Sequence, residues 1–123
     1  MYKMRQAQAQ LKLFFGDFGL PAFTRADIPD DVELPYIAYD LVDPTWDQQA
    51  NMSCQVYYPK GMREELLTKA DEIVAVIGNG IEITLTDGYL MLYRTGQNEK
   101  QNDEWSESIY IPLLINAYHQ PGV

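Results

Sequence analysis

The chain has 123 residues, a hydrophobic content of 46%, a charged content of 22% and a formal net charge of -9. That length suits one domain with a core of ordinary size, and the composition is that of a folded chain rather than a disordered one. Nine basic against 18 acidic residues give a surface that repels phosphate, which argues against groove or backbone binding to nucleic acid.

Cys54 is the single cysteine. It leaves no internal disulfide and points to a reducing compartment. The opening Met1-Tyr2-Lys3-Met4-Arg5-Gln6 has neither the apolar core nor the cleavage site of a signal peptide. No apolar run approaches the ~20 residues that span a bilayer, so no membrane partner is expected.

In chain order, Met4, Ala7, Leu11, Phe14, Phe15 and Phe18 recur at helical spacing with Gln6, Gln8, Gln10 and Lys12 between them. This predicts a helix over residues 2–15 with Gly16 as its C-cap. Residues 19–35 hold Pro21, Pro29 and Pro35 and read as a long loop. Residues 35–43 alternate Ile37, Tyr39 and Leu41 against Tyr36, Ala38 and Asp40, a strand pattern. Asp43-Pro44-Thr45-Trp46-Asp47 breaks it. Met52, Cys54, Val56 and Tyr58 then share one face of a second strand.

Residues 59–61 open a second helix, read over residues 61–77. Its apolar stripe is Met62, Leu66, Ala70, Ile73, Val74 and Ile77, with Arg63, Glu64, Lys69 and Asp71 facing water. Gly78-Asn79-Gly80 stops it. Ile81, Ile83 and Leu85 alternate into a strand, Asp87-Gly88 signals a tight hairpin, and residues 89–94 return. Residues 96–104 contain no aliphatic side chain and read as a mobile loop. A last strand is predicted over residues 105–118, with Trp105, Ile109, Ile111, Leu113 and Ile115 on one face. Pro112 lacks an N–H, so it calls for a sheet edge or a bulge. The expected fold is α+β: a mostly antiparallel sheet of about five strands with two principal helices packed on one face.

Chemistry-bearing residues are sparse. A Cys54–His119 dyad is conceivable, but Cys54 lies on the apolar side of a strand and His119 in the C-terminal tail. A buried cysteine acting as a small hydrophobe is the simpler reading. One His and one Cys exclude the usual structural zinc sites. Gly78 and Gly80 follow a helix, whereas a phosphate loop places its glycines between a strand and a helix N-terminus. Asp30-Asp31 and Asp103-Glu104 read as exposed loop carboxylates with no convergent partner. The expectation is therefore no enzyme, with no catalytic, cofactor-binding or metal-ligating residue assigned.

Two features remain. Residues 17–47 hold eight acids (Asp17, Asp27, Asp30, Asp31, Glu33, Asp40, Asp43, Asp47) against one base, Arg25; a solvated acidic face accounts for them. Tyrosine is in excess, nine in all. Tyr36, Tyr39, Tyr57, Tyr58, Tyr89, Tyr93, Tyr110 and Tyr118 all fall on expected strands, so they divide between the two sheet faces. The face turned away from the core needs water, a helix or a partner subunit, and tyrosine suits an interface because it buries a large ring behind a polar tip.

The order of elements, the Leu34-Pro35-Tyr36-Ile37-Ala38-Tyr39 strand, the Val56-Tyr57-Tyr58 strand and the terminal Ile109-Tyr110-Ile111-Pro112-Leu113-Leu114-Ile115 strand together resemble the tail terminator (tail completion) proteins of siphophages. The likeness covers most of the chain. It is nearly as close to the small neck and minor-capsid proteins encoded beside them. The resemblance implies one tail-terminator-like domain over residues 1–123, a structural protein of the virion tail or neck that passes through the host cytoplasm during assembly. It implies a homo-oligomeric ring, a hexamer, at the head-proximal end of the tail tube. That ring ends tube polymerisation and meets the tail tube protein on one side and the head-completion or connector protein on the other. Double-stranded DNA passes through its lumen, which the acidic stretch or the polar loop at residues 96–104 would line. The family brings no catalytic residue, cofactor or metal. Two other readings stand beside it: another phage head–tail adaptor, minor capsid or tail-tube protein, and a small cytosolic enzyme or ligand-binding domain. A polar-lined pocket with perturbed carboxylates would favour the latter.

Overall fold

The computed structural model describes residues 2–42 and 44–120, with side chains from Gln6 onward. The side chain of Met4 in the first apolar stripe, and Asp43 of the acidic stretch, lie outside that description. The chain runs α1 (Tyr2–Gly16), β1 (Ala22–Thr24), a 3-10 turn (Arg25–Asp27), β2 (Tyr36–Tyr39), β3 (Gln49–Pro59), α2 (Arg63–Ile77), β4 (Ile81–Leu85), β5 (Gly88–Arg94), β6 (Glu99–Asn102) and β7 (Ser106–His119). The fold is α+β. The strands form one curled mixed sheet in the order β1-β2-β3-β7-β5-β4, with β6 also on β7. β1 pairs parallel with β2, and the other strand pairings are antiparallel.

Both helices take their form from the apolar spacing. Ala7, Leu11, Phe15 and Phe18 are buried, and so are Leu66, Ala70, Ile73 and Ile77 of α2. They join one core with the alternate residues Met52, Cys54 and Val56 of β3 and Ile109, Ile111, Leu113 and Ile115 of β7. Phe15 stacks on Tyr39 at 4.7 Å between ring centroids. Glu64 and Glu65 occupy the first turn of α2, where carboxylates favour the helix dipole. The helix ends as Gly78 donates its N–H to the Val74 carbonyl at a φ of 55°, a backbone that glycine adopts at little cost. Gly16 is the last residue of α1 rather than a left-handed cap; the left-handed backbone falls at Gly19.

Several boundaries differ from the expectation. The proline-bearing segment read as a loop contributes β1 and the 3-10 turn. The aromatic strand stops at Tyr39, so Leu41 is exposed and Val42 is buried instead. The hairpin turn is Thr86–Asp87, and Gly88 is the first residue of β5, paired with Leu85. A Cβ on Gly88 would lie 2.0 Å from the Tyr118 carbonyl oxygen, so the close approach of β7 demands glycine there.

The polar segment at residues 96–104 is not simply a loop. Glu99–Asn102 forms β6 against β7, in register Gln101↔Ser108. Its side chains are all exposed, so apolar alternation could not reveal it; backbone pairing makes it a strand. Trp105 precedes β7 and is 74% exposed, off the apolar row to which parity assigned it.

Pro112 sits within the long central β7 rather than at the rim of the sheet. Its carbonyl accepts the Thr95 N–H at 3.2 Å, on the side where β6 leaves β7 at Tyr110 and β5 joins it at Leu113. A residue's N–H and C=O point to the same side of a strand. The missing donor of Pro112 therefore faces the gap between two partners, a local edge inside the sheet.

Candidate functional site: the tyrosine-lined sheet face

The helices cover one face of the sheet. Across the ladder, Tyr36 pairs with Tyr57, Tyr57 with Ser108, and Tyr89 with Tyr118. Leu92, Ile109 and Ile111 carry the core parity, so Tyr36, Tyr57, Tyr89, Tyr93, Tyr110 and Tyr118 all project from the opposite face. None of the six is fully buried or fully exposed. Tyr39 and Tyr58 go to the core.

The rings form two groups. Tyr36 and Tyr57 stack at 4.8 Å with planes 18° apart, and Phe23 of β1 meets Tyr36 edge-on at 6.2 Å. Tyr89 and Tyr118 stack at 5.1 Å and 26°. Such cross-strand aromatic pairs hold register and leave half-buried rings at the surface; the Tyr118 hydroxyl accepts from Asn116 Nδ2 at 3.2 Å. Burial raises the pKa of Tyr36, with Tyr57 and Asp103 adding to it against Arg25. The hydroxyl of Tyr93 is raised by burial, then by Tyr118 and Tyr89.

Between the aromatic groups lies a polar network around Arg25, the lone base of the acidic stretch. Arg25 Nε donates to Asp40 Oδ1 at 2.7 Å, Nη2 to Ser53 Oγ at 2.8 Å and Nη1 to Gln55 Oε1 at 3.0 Å. The Ser53 hydroxyl in turn donates to Asp40 Oδ2 at 2.9 Å. Gln55 Nε2 donates to Ser108 Oγ at 2.9 Å and to Gln101 Oε1 at 3.1 Å. The guanidinium also lies 5.8 Å from the Tyr110 ring centroid, a cation–π distance. Ser53, Gln55 and Ser108 are buried. One arginine on the turn after β1 thus links Asp40, just past β2, to β3, and Gln55 extends the chain to β6 and β7.

A second electrostatic knot holds β6 on its other face. Glu107 faces Arg63 of α2 and Lys100 of β6, each at 3.6 Å, and accepts the Gly61 N–H at 3.4 Å. Burial opposes its ionisation, but the Gly61 N–H and the two cations outweigh burial and hold its carboxyl below the ordinary value. Arg25 stood out in the sequence only as the lone base among acids. Ser53, Gln55, Gln101, Ser108 and Glu107 left no comparable signal, because polar residues on a strand normally mean the solvent side.

The sequence-level candidates for chemistry are not brought together. Cys54 is fully buried, and burial pushes its thiol up to about 12, the reverse of a nucleophile's environment. It pairs with Ile111, while His119 pairs with Gly88 at the far end of β7 and lies against Trp46 at 5.0 Å. Those eight residues of strand separate the two side chains by roughly 25 Å of β7. Asp30 and Asp31 are exposed. Asp103 accepts from Ser106 Oγ at 2.8 Å and from the N–H groups of Trp105 and Ser106 at 2.8 and 2.7 Å. These bonds lower its pKa and make it a turn-former. Among the described residues no group of His, Cys, Asp and Glu has the arrangement of a metal site. No described helix is long and apolar enough to cross a membrane.

No protein-family model matches the chain, and no curated protein matches it.

Proposed function

We propose that this protein is a structural subunit of a tailed-phage virion, one that closes into a hexameric ring at the head-proximal end of the tail tube. There it stops tube polymerisation and receives the head-completion or connector protein. The observation that carries the reading is the tyrosine-lined sheet face: six half-buried rings, held in register and free of helical cover. Tyrosine buries large area at modest conformational cost, which suits a surface made to be covered by another subunit. The resemblance of the strand motifs to tail terminators supplies the kind of assembly.

The charge agrees with a DNA conduit. A net charge of -9 gives a ring whose lumen repels the duplex and lets it slide rather than bind. Asp27, Asp30, Asp31 and Glu33 are exposed and could supply acids to such a lining, as could the polar segment at residues 96–104. On this reading the protein has no catalytic role and works in the virion, after assembly in the host cytoplasm.

The test is tube growth. Purified tail tube protein polymerising in vitro should give tubes of limited length when this protein is added, each capped at one end by a ring in electron micrographs. Tubes that lengthen unchanged, with no density added at an end, would refute the reading. Decoration along the tube wall would favour the tail-tube or adaptor alternative.

A further inference from the structure

We infer that the outer edge of β4 is a docking site for an extended segment of another protein, one that alternates apolar side chains with arginine or lysine. The inference goes beyond the ring reading and does not rest on it. β4 ends the sheet order and pairs with β5 on one side. The direction of its backbone groups follows from the hairpin. The Asp87 carbonyl accepts the Gln120 N–H at 2.7 Å, so odd-numbered residues of β5 turn their backbone groups to β7 and even-numbered ones to β4. Leu90 thus bonds to Ile83, and Glu82 and Thr84 turn their N–H and C=O groups outward. Thr86 continues the alternation, and Gln6 Oε1 of α1 accepts its outward N–H at 2.8 Å.

A groove of about 520 Å³ runs along this edge, lined by Ile81, Glu82, Ile83 and Thr84 in succession. Successive side chains of a strand point to opposite faces, so what the four share is the edge itself. On the core side the groove is apolar: Phe14 is half-buried, and Leu13 and Val76, 66% and 45% exposed, stand beside it. On the other side Glu82 is exposed. An added strand would set apolar side chains against the first side. A residue opposite Glu82 would lie about 5 Å from it, Cβ to Cβ, where a cation is favoured and a carboxylate is not.

The surrounding charge selects the same partner. Asp17 and Glu82 line the groove, and among the described residues neither has an ion pair. Lys69 reaches the Phe18 carbonyl but is paired with Glu72, and Lys12 lies across α1 from the groove. Asp17 directly follows α1 and Val76 lies in the last turn of α2, and neither helix has a basic residue in its last turn. The negative ends of two helix dipoles therefore add to the two carboxylates. A second copy does not supply the cation. A second β4 brings the same carboxylate, β1 is Ala22-Phe23-Thr24, and Lys100 of β6 already faces Glu107.

The test is an NMR titration of the nitrogen-labelled protein with a synthetic peptide that alternates valine with threonine and carries one arginine at its centre. The same peptide with glutamate in that place is the comparison. The arginine peptide should bind roughly tenfold more tightly. It should also slow hydrogen exchange at the Glu82 and Thr84 amides more than about tenfold. Glu82→Lys, at an exposed position, should keep the melting temperature and reverse the preference; Asp17→Lys should weaken the preference and gives a second reading should Glu82→Lys disturb the fold. Equal binding of the two peptides, or a preference untouched by these substitutions, would overturn the proposal. So would binding that leaves exchange at Glu82 and Thr84 unchanged, because the strand edge would not be the site. If neither peptide binds, Glu82 only guards the edge against pairing and the proposal fails. It fails too if the two amides become protected as the protein alone is concentrated, since the occupant is then a second copy.

Discussion

Replacing Arg25 by Ala removes one side chain and takes a hydrogen-bond donor from two buried groups. Arg25 and Asp40 keep 32% and 34% of their side-chain exposure, so the ion pair alone contributes less than about 1 kcal/mol. The larger loss lies beneath it. Ser53 and Gln55 are 1% and 5% exposed. Without Arg25, Gln55 Oε1 loses its donor at 3.0 Å and Ser53 Oγ loses one at 2.8 Å. An unsatisfied buried polar group costs about 1–3 kcal/mol, and a bond to a charged donor contributes about 1.5–3 kcal/mol. Water entering the space left by the guanidinium recovers part of this, so the expected loss is about 2–4 kcal/mol. With a urea slope of about 2 kcal/mol/M, the middle of the usual range, the midpoint should fall by roughly 1–2 M. Arg25→Lys keeps the charge but not the planar fork and should recover little of the loss. Equilibrium unfolding in urea, followed by far-UV circular dichroism, measures all three proteins. An unfolding free energy for Arg25→Ala within about 0.5 kcal/mol of the wild type would show that the network is surface decoration and that the reasoning from burial is wrong.

Leu66 is fully buried on α2, so Leu66→Ala should cost about 2–5 kcal/mol in the same urea assay. The Cys54 thiol, pushed up to about 12 by burial, should react with Ellman's reagent at neutral pH only as fast as the protein unfolds; labelling as fast as that of a free thiol would place it at the surface. The carboxyl of Glu107 is held below its ordinary value, so its contribution is complete above the unfolded value of about 4.3 and disappears as pH falls through the lower folded value. Melting temperature should therefore drop on acidification in that range. Glu107→Gln should melt lower at neutral pH and show a shallower acid drop, and an unchanged acid drop would contradict the assignment.

Much of this architecture is written in periodicity, and the exceptions have physical causes. The stripes of α1 and α2 and the alternation of β3, β4 and β7 declare themselves because burial falls on a regular spacing. β6 does not, because Glu99, Lys100, Gln101 and Asn102 bury nothing and are strand only through their partner. β1 is three residues inside a proline-bearing segment, too short for any period to register. Pro112 correctly announced a broken ladder, but an edge created inside the sheet, by β6 giving way to β5, depends on pairings distant in sequence. The excess of tyrosine was visible, and parity sent six rings to the face away from the helices. That Arg25 reaches across to Ser53 and Gln55 could not be read from residues nearly 30 positions apart.

The central claim is the place of this subunit in an assembled particle. Immunogold electron microscopy of virions made by the genome that encodes this chain tests it most directly. The account predicts label confined to the junction between tail and head, and particles made without the protein should have overlong or unjoined tails. Label spread along the tube or over the capsid, or absent from particles that assemble normally without the protein, would contradict it.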